Sequence, residues 1–537
     1  MRRPLLEPVP NIVDLVVGVR RCCLRPRART MPWATVSRGA LARVATVALL
    51  SAAIVPPAVG QRALAIEPNA AVSQTLTDNY LLTGAAPAGD LVTRLSAGVG
   101  LRSQAGLLRG YLDYSLSSLV YARHSDRNEF QNALRSNLTA DLLEGRARLV
   151  VDAGISQAAI SAFGAQPGAG GLSNANSTEL RTLRITPTFQ GPLGPGLRYS
   201  GSLGYSISEA SNTRNGDSNA SNLGLTITPA APGRLSWALD GTQSRSDYKL
   251  GRSTESDRVS GQLNLRLDEL DLRLNANTGI ELSNLATVGR QRNQTWGIGA
   301  AWEPSPRIRL AGDLEHRFFG QSHNLSLEYR TPLTIWRLSD ARSVSTGDAQ
   351  AGFNGRGTAY DLFFAQFASV EPDPLKRADL VNAFLRNNGI DPVAITNPGF
   401  LRSSATLDDR QSLSVAYRGV RSTVVVTANR SRTRRLDTVS SANDDLAHAG
   451  EVRLSSVALD VSHRLTPLAS VSLLLSAQQG RGTLALQDNR QRQMSLTYST
   501  RLTPQSTLSA GGRRSMYQTG LSAYAESAVF ASYGIRF

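Results

Sequence analysis

Arginines and acids recur at every second position of long polar and apolar alternations. Arg94, Arg109, Asp113, Arg148, Asp152 and Arg198 do so in the first half of the chain, and Asp240, Arg266, Asp271, Arg273, Arg309, Asp313 and Glu315 in the second. Residues spaced by two on a strand share one face. Two kinds of chemistry follow from such a wall. Charge of both signs with arginine in excess tunes the passage of anions and polar polymers, and opposite charges on neighbouring strands pair and stiffen the wall. Other chemistry is poorly represented. The five histidines (His124, His316, His323, His448 and His463) are isolated and lack metal-ligand spacing. Serines are too frequent for a Ser/His pair to be read from order along the chain. No G-x-x-x-x-G-K-[ST] phosphate loop occurs. The expectation is a chain that is not an enzyme, with no metal and no cofactor.

The elements that must carry these charges come next. Composition is even from about residue 66 to residue 537, which favours one repetitive architecture over a string of domains. The formal charge of +16 would suggest nucleic acid. Yet residues 1–65 hold Arg2, Arg3, Arg20, Arg21, Arg25, Arg27, Arg29, Arg38, Arg43 and Arg62 against Glu7 and Asp14, half of the excess. The remaining basic residues are scattered singly, so no nucleic-acid partner is expected. From Met31 the chain reads as an export signal. Arg38 and Arg43 precede the apolar run Val44–Val55, and Ala63-Leu64-Ala65 or Ala58-Val59-Gly60 supplies small residues for cleavage. Cys22 and Cys23 lie upstream of Met31, and Arg21 is a poor neighbour for a lipid-anchor cysteine. The domain reading is therefore a leader over 1–65 and a single body over 66–537.

Period-two alternation decides the fold. Leu270, Leu272, Leu274, Ala276, Thr278, Ile280 and Leu282 fall on one face, opposite Asp271, Arg273, Asn275, Asn277, Gly279, Glu281 and Ser283. The pattern returns in Val259–Leu267, in Trp296, Ile298, Ala300 and Trp302, and in Met494, Leu496, Tyr498, Thr500 and Leu502. Strands of about 9–11 residues cross a bilayer when tilted, and in lipid a sheet survives only if it closes. Tight connections such as Glu144-Gly145, Asp268-Glu269, Gly419-Val420 and Thr503-Pro504 alternate with long polar ones such as Ser156–Thr178 and Thr433–Gly450. The prediction is an all-β, transmembrane, antiparallel up-and-down β-barrel of about 22 strands (18–22) in the cell outer membrane, with outer-membrane lipid around it. At the end, Val529, Ala531, Tyr533, Ile535 and Phe537 alternate to a terminal aromatic. That resembles the signal read by the outer-membrane barrel assembly machinery, which makes Phe537 the expected contact.

Residues 346–407 break the rhythm. Tyr360-Asp361-Leu362-Phe363-Phe364 opens an apolar stretch running through Phe367. Asp373-Pro374 supplies an N-cap and a first-turn proline, and Leu375, Leu380, Val381, Phe384 and Leu385 share a face before Gly389. This helical insert needs something to pack against, either the lumen or the outer mouth.

Several stretches stand out in order: Thr77-Asp78-Asn79, Asn176 to Thr182 leading into Ile185-Thr186-Pro187, His316-Arg317-Phe318-Phe319-Gly320, Asn324 to Thr331, and Asp373-Pro374 through Phe384 to Gly389. Together they resemble the PEP-CTERM-system-associated outer-membrane proteins. The resemblance covers the body of the chain, and the extension before Met31 departs from it. It implies an exosortase and exopolysaccharide context but no catalytic residues. The expected function is an outer-membrane channel or scaffold for export of exopolysaccharide or surface protein. The alternatives are a general diffusion porin and, less favoured, an outer-membrane hydrolase. A plugged receptor is disfavoured because no separate plug domain precedes the first strand.

Overall fold

The computed structural model describes residues 64–103, 106–165, 172, 174–346, 360, 363–364, 367, 371–387, 399–437, 444–484, 487–520 and 522–537. Cys22, Cys23, Met31 and the expected export signal up to Ala63 lie outside the described residues, as do Leu362 and Gly389.

Twenty-two strands form one sheet. They are β1 (Leu64–Thr77), β2 (Asp90–Ser103), β3 (Leu108–Tyr121), β4 (Glu129–Leu142), β5 (Ala147–Ala159), β6 (Ser177–Leu193), β7 (Leu197–Ala210) and β8 (Ser218–Pro229). Then come β9 (Leu235–Tyr248), β10 (Thr254–Leu267), β11 (Leu272–Ser283), β12 (Gln291–Ser305), β13 (Ile308–Arg317), β14 (Gly320–Arg330) and β15 (Thr334–Ser345). The last are β16 (Thr406–Arg418), β17 (Ser422–Arg435), β18 (Glu451–Arg464), β19 (Ala469–Arg481), β20 (Asn489–Arg501), β21 (Ser506–Thr519) and β22 (Ala523–Arg536). Each pairs antiparallel with the next, and β1 closes on β22 from Asn69↔Arg536 to Thr77↔Ala528. Closure leaves no edge, which is what lipid demands of a sheet.

The alternation seen in the sequence becomes inside and outside. Leu95, Leu203, Trp237, Leu263, Ile298, Leu338, Val457 and Leu496 are exposed on the outer face, where hydrocarbon rather than water receives them. The aromatic residues Phe189, Trp237, Trp302, Tyr329, Trp336, Tyr417, Tyr498 and Tyr533 are also exposed, and all sit toward the end that carries the short turns. That is an interfacial girdle. An even strand number, short turns at one end and long connections at the other complete the outer-membrane architecture, with the start of β1 and the end of β22 on the periplasmic side. The chain is an outer-membrane β-barrel. Its first strand begins at Leu64, two residues before the boundary suggested by the sequence.

One helix of 14 residues, α1 (Pro374–Asn387), lies between β15 and β16. A short one, α2 (Asp445–Ala449), lies between β17 and β18. The insert ends before Thr406, because the residues from there onward already pair with β15.

Candidate functional site

Register places twelve of the thirteen charged residues expected to line the lumen on the inner face. Arg94, Arg109, Asp113, Arg148, Asp152, Arg198, Asp240, Arg266, Arg273, Arg309, Asp313 and Glu315 all lie on the face opposite the exposed apolar residues. Asp271 is the correction. It sits in the periplasmic turn between β10 and β11 with φ of 47°, after the short 3-10 turn Asp268–Leu270. Alternation carries no sign of a left-handed turn residue, and aspartate is among the few side chains that tolerate that conformation.

Most of the lining charges are paired. Asp141 accepts from Arg109 at 2.6 Å and from Arg148 at 2.8 Å. Asp152 accepts from Asn137 at 2.5 Å and Asp240 from Thr226 at 2.7 Å. Arg309 reaches Glu303 at 3.5 Å, Arg266 reaches Asp268 at 2.7 Å, and Arg258 grips Glu315. Half-exposed pairs of this kind contribute only about 0–1 kcal/mol each. Their larger effect is a polar wall with little net field.

The insert leaves the sheet at the outer end, yet its packing lies near the other. Asp373 caps α1 through its carboxylate, which accepts from Lys376 N–H at 3.4 Å. Ala378, Val381 and Leu385 of α1 are buried with Tyr360 and Phe363 against Val425 of β17, with Tyr111 of β3 and Ala416 of β16 beside them. Rings meet at an angle within this cluster, with Phe363 tilted at 4.7 Å and Phe367 edge-on at 5.4 Å from Phe384. Arg135 of β4 lies 4.6 Å over the Tyr360 ring. An ion bridge also joins helix to wall. Arg102 of β2 grips Asp113 at 2.7 Å and reaches Asp379 of α1 at 3.2 Å. Arg102, Tyr111, Ala416 and Val425 are each within four residues of the periplasmic end of their strands. Ten residues of tilted strand separate Thr406 from Ala416, so the α1 cluster lies about 25 Å below the outer end of β16.

The outer mouth is bridged by different means. The segment after β5 crosses to the far wall, where Ala162 O accepts from Asn489 Nδ2 at 2.8 Å and Phe163 O accepts from Tyr517 OH at 2.6 Å. Asp445 of α2 receives Ala162 N–H at 2.6 Å and Ser161 Oγ at 3.0 Å. Ser403, fully buried, donates its N–H to Asp444 at 2.9 Å and accepts Gly216 N–H on Oγ at 3.2 Å. Gly251 is required here because a Cβ would stand 1.9 Å from Ser403 O. Arg252 anchors Asp437 at 3.0 Å, and Arg402 gathers Ser345, Thr406 and Asp408. Burial raises the Asp445 carboxyl above its ordinary range, against the lowering effect of the Ala162 and Ser161 donors.

The histidines serve local packing. His124 meets Asp90 at 2.8 Å and stacks on Tyr80, and His316 stacks on Trp296. Ser422 Oγ and His463 Nδ1 lie 2.8 Å apart on the outward face, and no carboxylate orients His463 among the described residues. Sequence order did not reveal the Arg102 bridge or the Asp445 contacts, since their partners lie 277 and 283 residues away.

No protein-family model matches the chain, and no curated protein matches it. Similar solved structures include the FrpB iron transporter from Neisseria meningitidis (F3-3 variant), 8% identical over 88% of this chain and 81% of that chain, with a TM-score of 0.44. The siderophore receptor PirA from Acinetobacter baumannii is 8% identical over 88% and 80%, with a TM-score of 0.40. The outer membrane protein opdK from Pseudomonas aeruginosa is 9% identical over 88% and 99%, with a TM-score of 0.29. These likenesses are distant, and the fold stands on the closed sheet itself.

Proposed function

We propose that the chain is a gated outer-membrane passage whose insert holds the lumen shut. One observation carries this reading: the apolar cluster of α1 packs on the inner wall near the periplasmic end, although both ends of the insert join the sheet at the outer mouth. A wall rich in serine, threonine, asparagine and paired charges suits a polar cargo without binding it tightly. The resemblance to PEP-CTERM-associated barrels supports extracellular polysaccharide or a sorted surface protein as that cargo, with this chain serving as channel or scaffold for its export.

Planar-bilayer conductance of the whole chain, compared with a variant lacking residues 346–405, tests the reading. A closed parent and a conducting deletion are expected. Steady conductance of the parent would instead make the chain a general diffusion porin, and silence of both would leave a scaffold. For the cargo, a strain lacking the chain is expected to lose surface polysaccharide or sorted surface protein. Unchanged amounts of both would remove the export role.

A further inference from the structure

The outward face near the outer end of β15–β20 carries a feature that the lumen does not explain. Pairing sets Arg342 opposite Asp409, Asp409 opposite Arg432, Arg432 opposite Arg453, and Arg453 opposite Arg481. The result is one continuous row across five strands. Arg434 lies above it, and Arg430, Arg490 and Arg492 lie below. Against these eight arginines stand Asp340, Asp409 and Glu451 within the strands, and exposed Asp488 just before β20. The same face continues downward into Leu338, Leu413, Val457, Met494 and Leu496, all exposed. The row therefore stands at the upper border of the hydrocarbon band, on the lipid side.

The opposite wall differs at this height. The outward face of β6–β12, with its strand ends, carries Glu179, Glu209, Asp247, Glu255 and Asp257 against Arg181, Arg245, Lys249, Arg290 and Arg292, a balanced set. Excess positive charge is confined to one side of the barrel.

We propose that this row binds the phosphorylated headgroup of an outer-leaflet glycolipid. Guanidinium forks match phosphate oxygens in pairs, and basic clusters bordering a membrane select anionic headgroups. Glu451 accepts from Arg432 at 2.6 Å and from Arg453 at 2.5 Å, which holds both forks in place. Both arginine side chains stay about half exposed, at 42% and 54%. Among the described residues, Arg430, Arg490 and Arg492 have no carboxylate partner at all. Cargo inside the lumen cannot reach this face, so the occupant is a lipid of the surrounding leaflet.

The test uses the full chain in non-ionic detergent and, as probe, hexa-acylated lipid A carrying both phosphates, with bound lipid counted by native mass spectrometry. The parent is expected to retain this lipid and to release its dephosphorylated form. The triple variant Arg432→Gln, Arg453→Gln, Arg481→Gln should lose retention by roughly tenfold or more. The matching variant on the other wall, Arg181→Gln, Arg245→Gln, Arg292→Gln, should behave as the parent. Equal retention of the dephosphorylated lipid, or parent-like binding by the triple variant, overturns the proposal. So does a parent that takes up a soluble polyuronate and ignores lipid A. Should the triple variant lack the heat-dependent gel shift of a folded barrel, Arg430→Gln, Arg490→Gln, Arg492→Gln replaces it, since these changes strand no carboxylate. A clear loss of retention is expected there too, and unchanged retention also overturns the proposal.

Discussion

The two ends of the lumen are crossed by different chemistry. At the outer mouth, backbone amides, serines and carboxylates from distant loops bond to one another, with Asp444, Asp445 and Ser403 as shared acceptors and donors. Near the periplasmic end, rings and aliphatic side chains of the insert pack on Val425, Ala416 and Tyr111, and one arginine bridges to the wall. When the loops part, their hydrogen bonds are replaced by bonds to water at small net cost. An apolar cluster released into a polar lumen loses its burial outright. Of the two crossings the upper is therefore the easier to open, and on the gating proposed above the lower one would hold the lumen shut.

The sharpest way to break this contrast is to hollow the lower seal alone. Phe363 is almost fully buried. Phe363→Ala should weaken insert docking by about 3–5 kcal/mol, open the pore in bilayers, and expose the insert to protease while the barrel keeps its heat-dependent gel shift. The upper seal responds to Gly251→Ala. The new methyl group would meet Ser403 O, so the loops over the mouth must separate at a cost of about 1–3 kcal/mol. Protease should then cut the outer loops faster, with conductance still low.

How much of this was legible in the sequence follows from how far each feature reaches along the chain. Alternation through Leu272 to Leu282 is local, and it yields the strands, their number and the facing of twelve lining charges. The helix from Pro374 is local too, with its Asp373 cap and a face on which Val381, Phe384 and Leu385 do join the cluster, whereas buried Ala378 went unnoticed. Asp271 was misplaced because its turn conformation leaves no trace in hydropathy. The two seals and the arginine row were invisible for another reason. Arg102 meets Asp379, and Arg342, Arg432, Arg453 and Arg481 fall in line, only once the sheet has closed in this register.

Smaller effects sharpen the comparison further. Asp379→Asn removes the helix side of the Arg102 bridge and leaves the Arg102–Asp113 pair intact. Because Asp379 is about half exposed, the expected loss of docking is about 1 kcal/mol or less, read as a modest rise in the frequency of brief openings. The smallest effect concerns pH. The raised Asp445 pKa means that this group's contribution to the outer seal is complete below the ordinary carboxylate range, about pH 3.9. That contribution fades as pH rises through the raised value. Protection of the segment at Ser161–Phe163 from protease should therefore weaken from mild acid to neutral pH, and Asp445→Asn should flatten the dependence.

The depth of the insert is the claim on which the closed state rests, and proximity cross-linking reads it directly. Residues 66–537 hold no cysteine, so with Cys22 and Cys23 replaced by serine the paired substitutions report cleanly. Arg102→Cys with Asp379→Cys should be joined by a short bis-thiosulfonate in native outer membranes, and Ser345→Cys with Asp379→Cys should not. Cross-linking only to position 345, at the outer end of β15, would put the helix at the mouth and contradict the account.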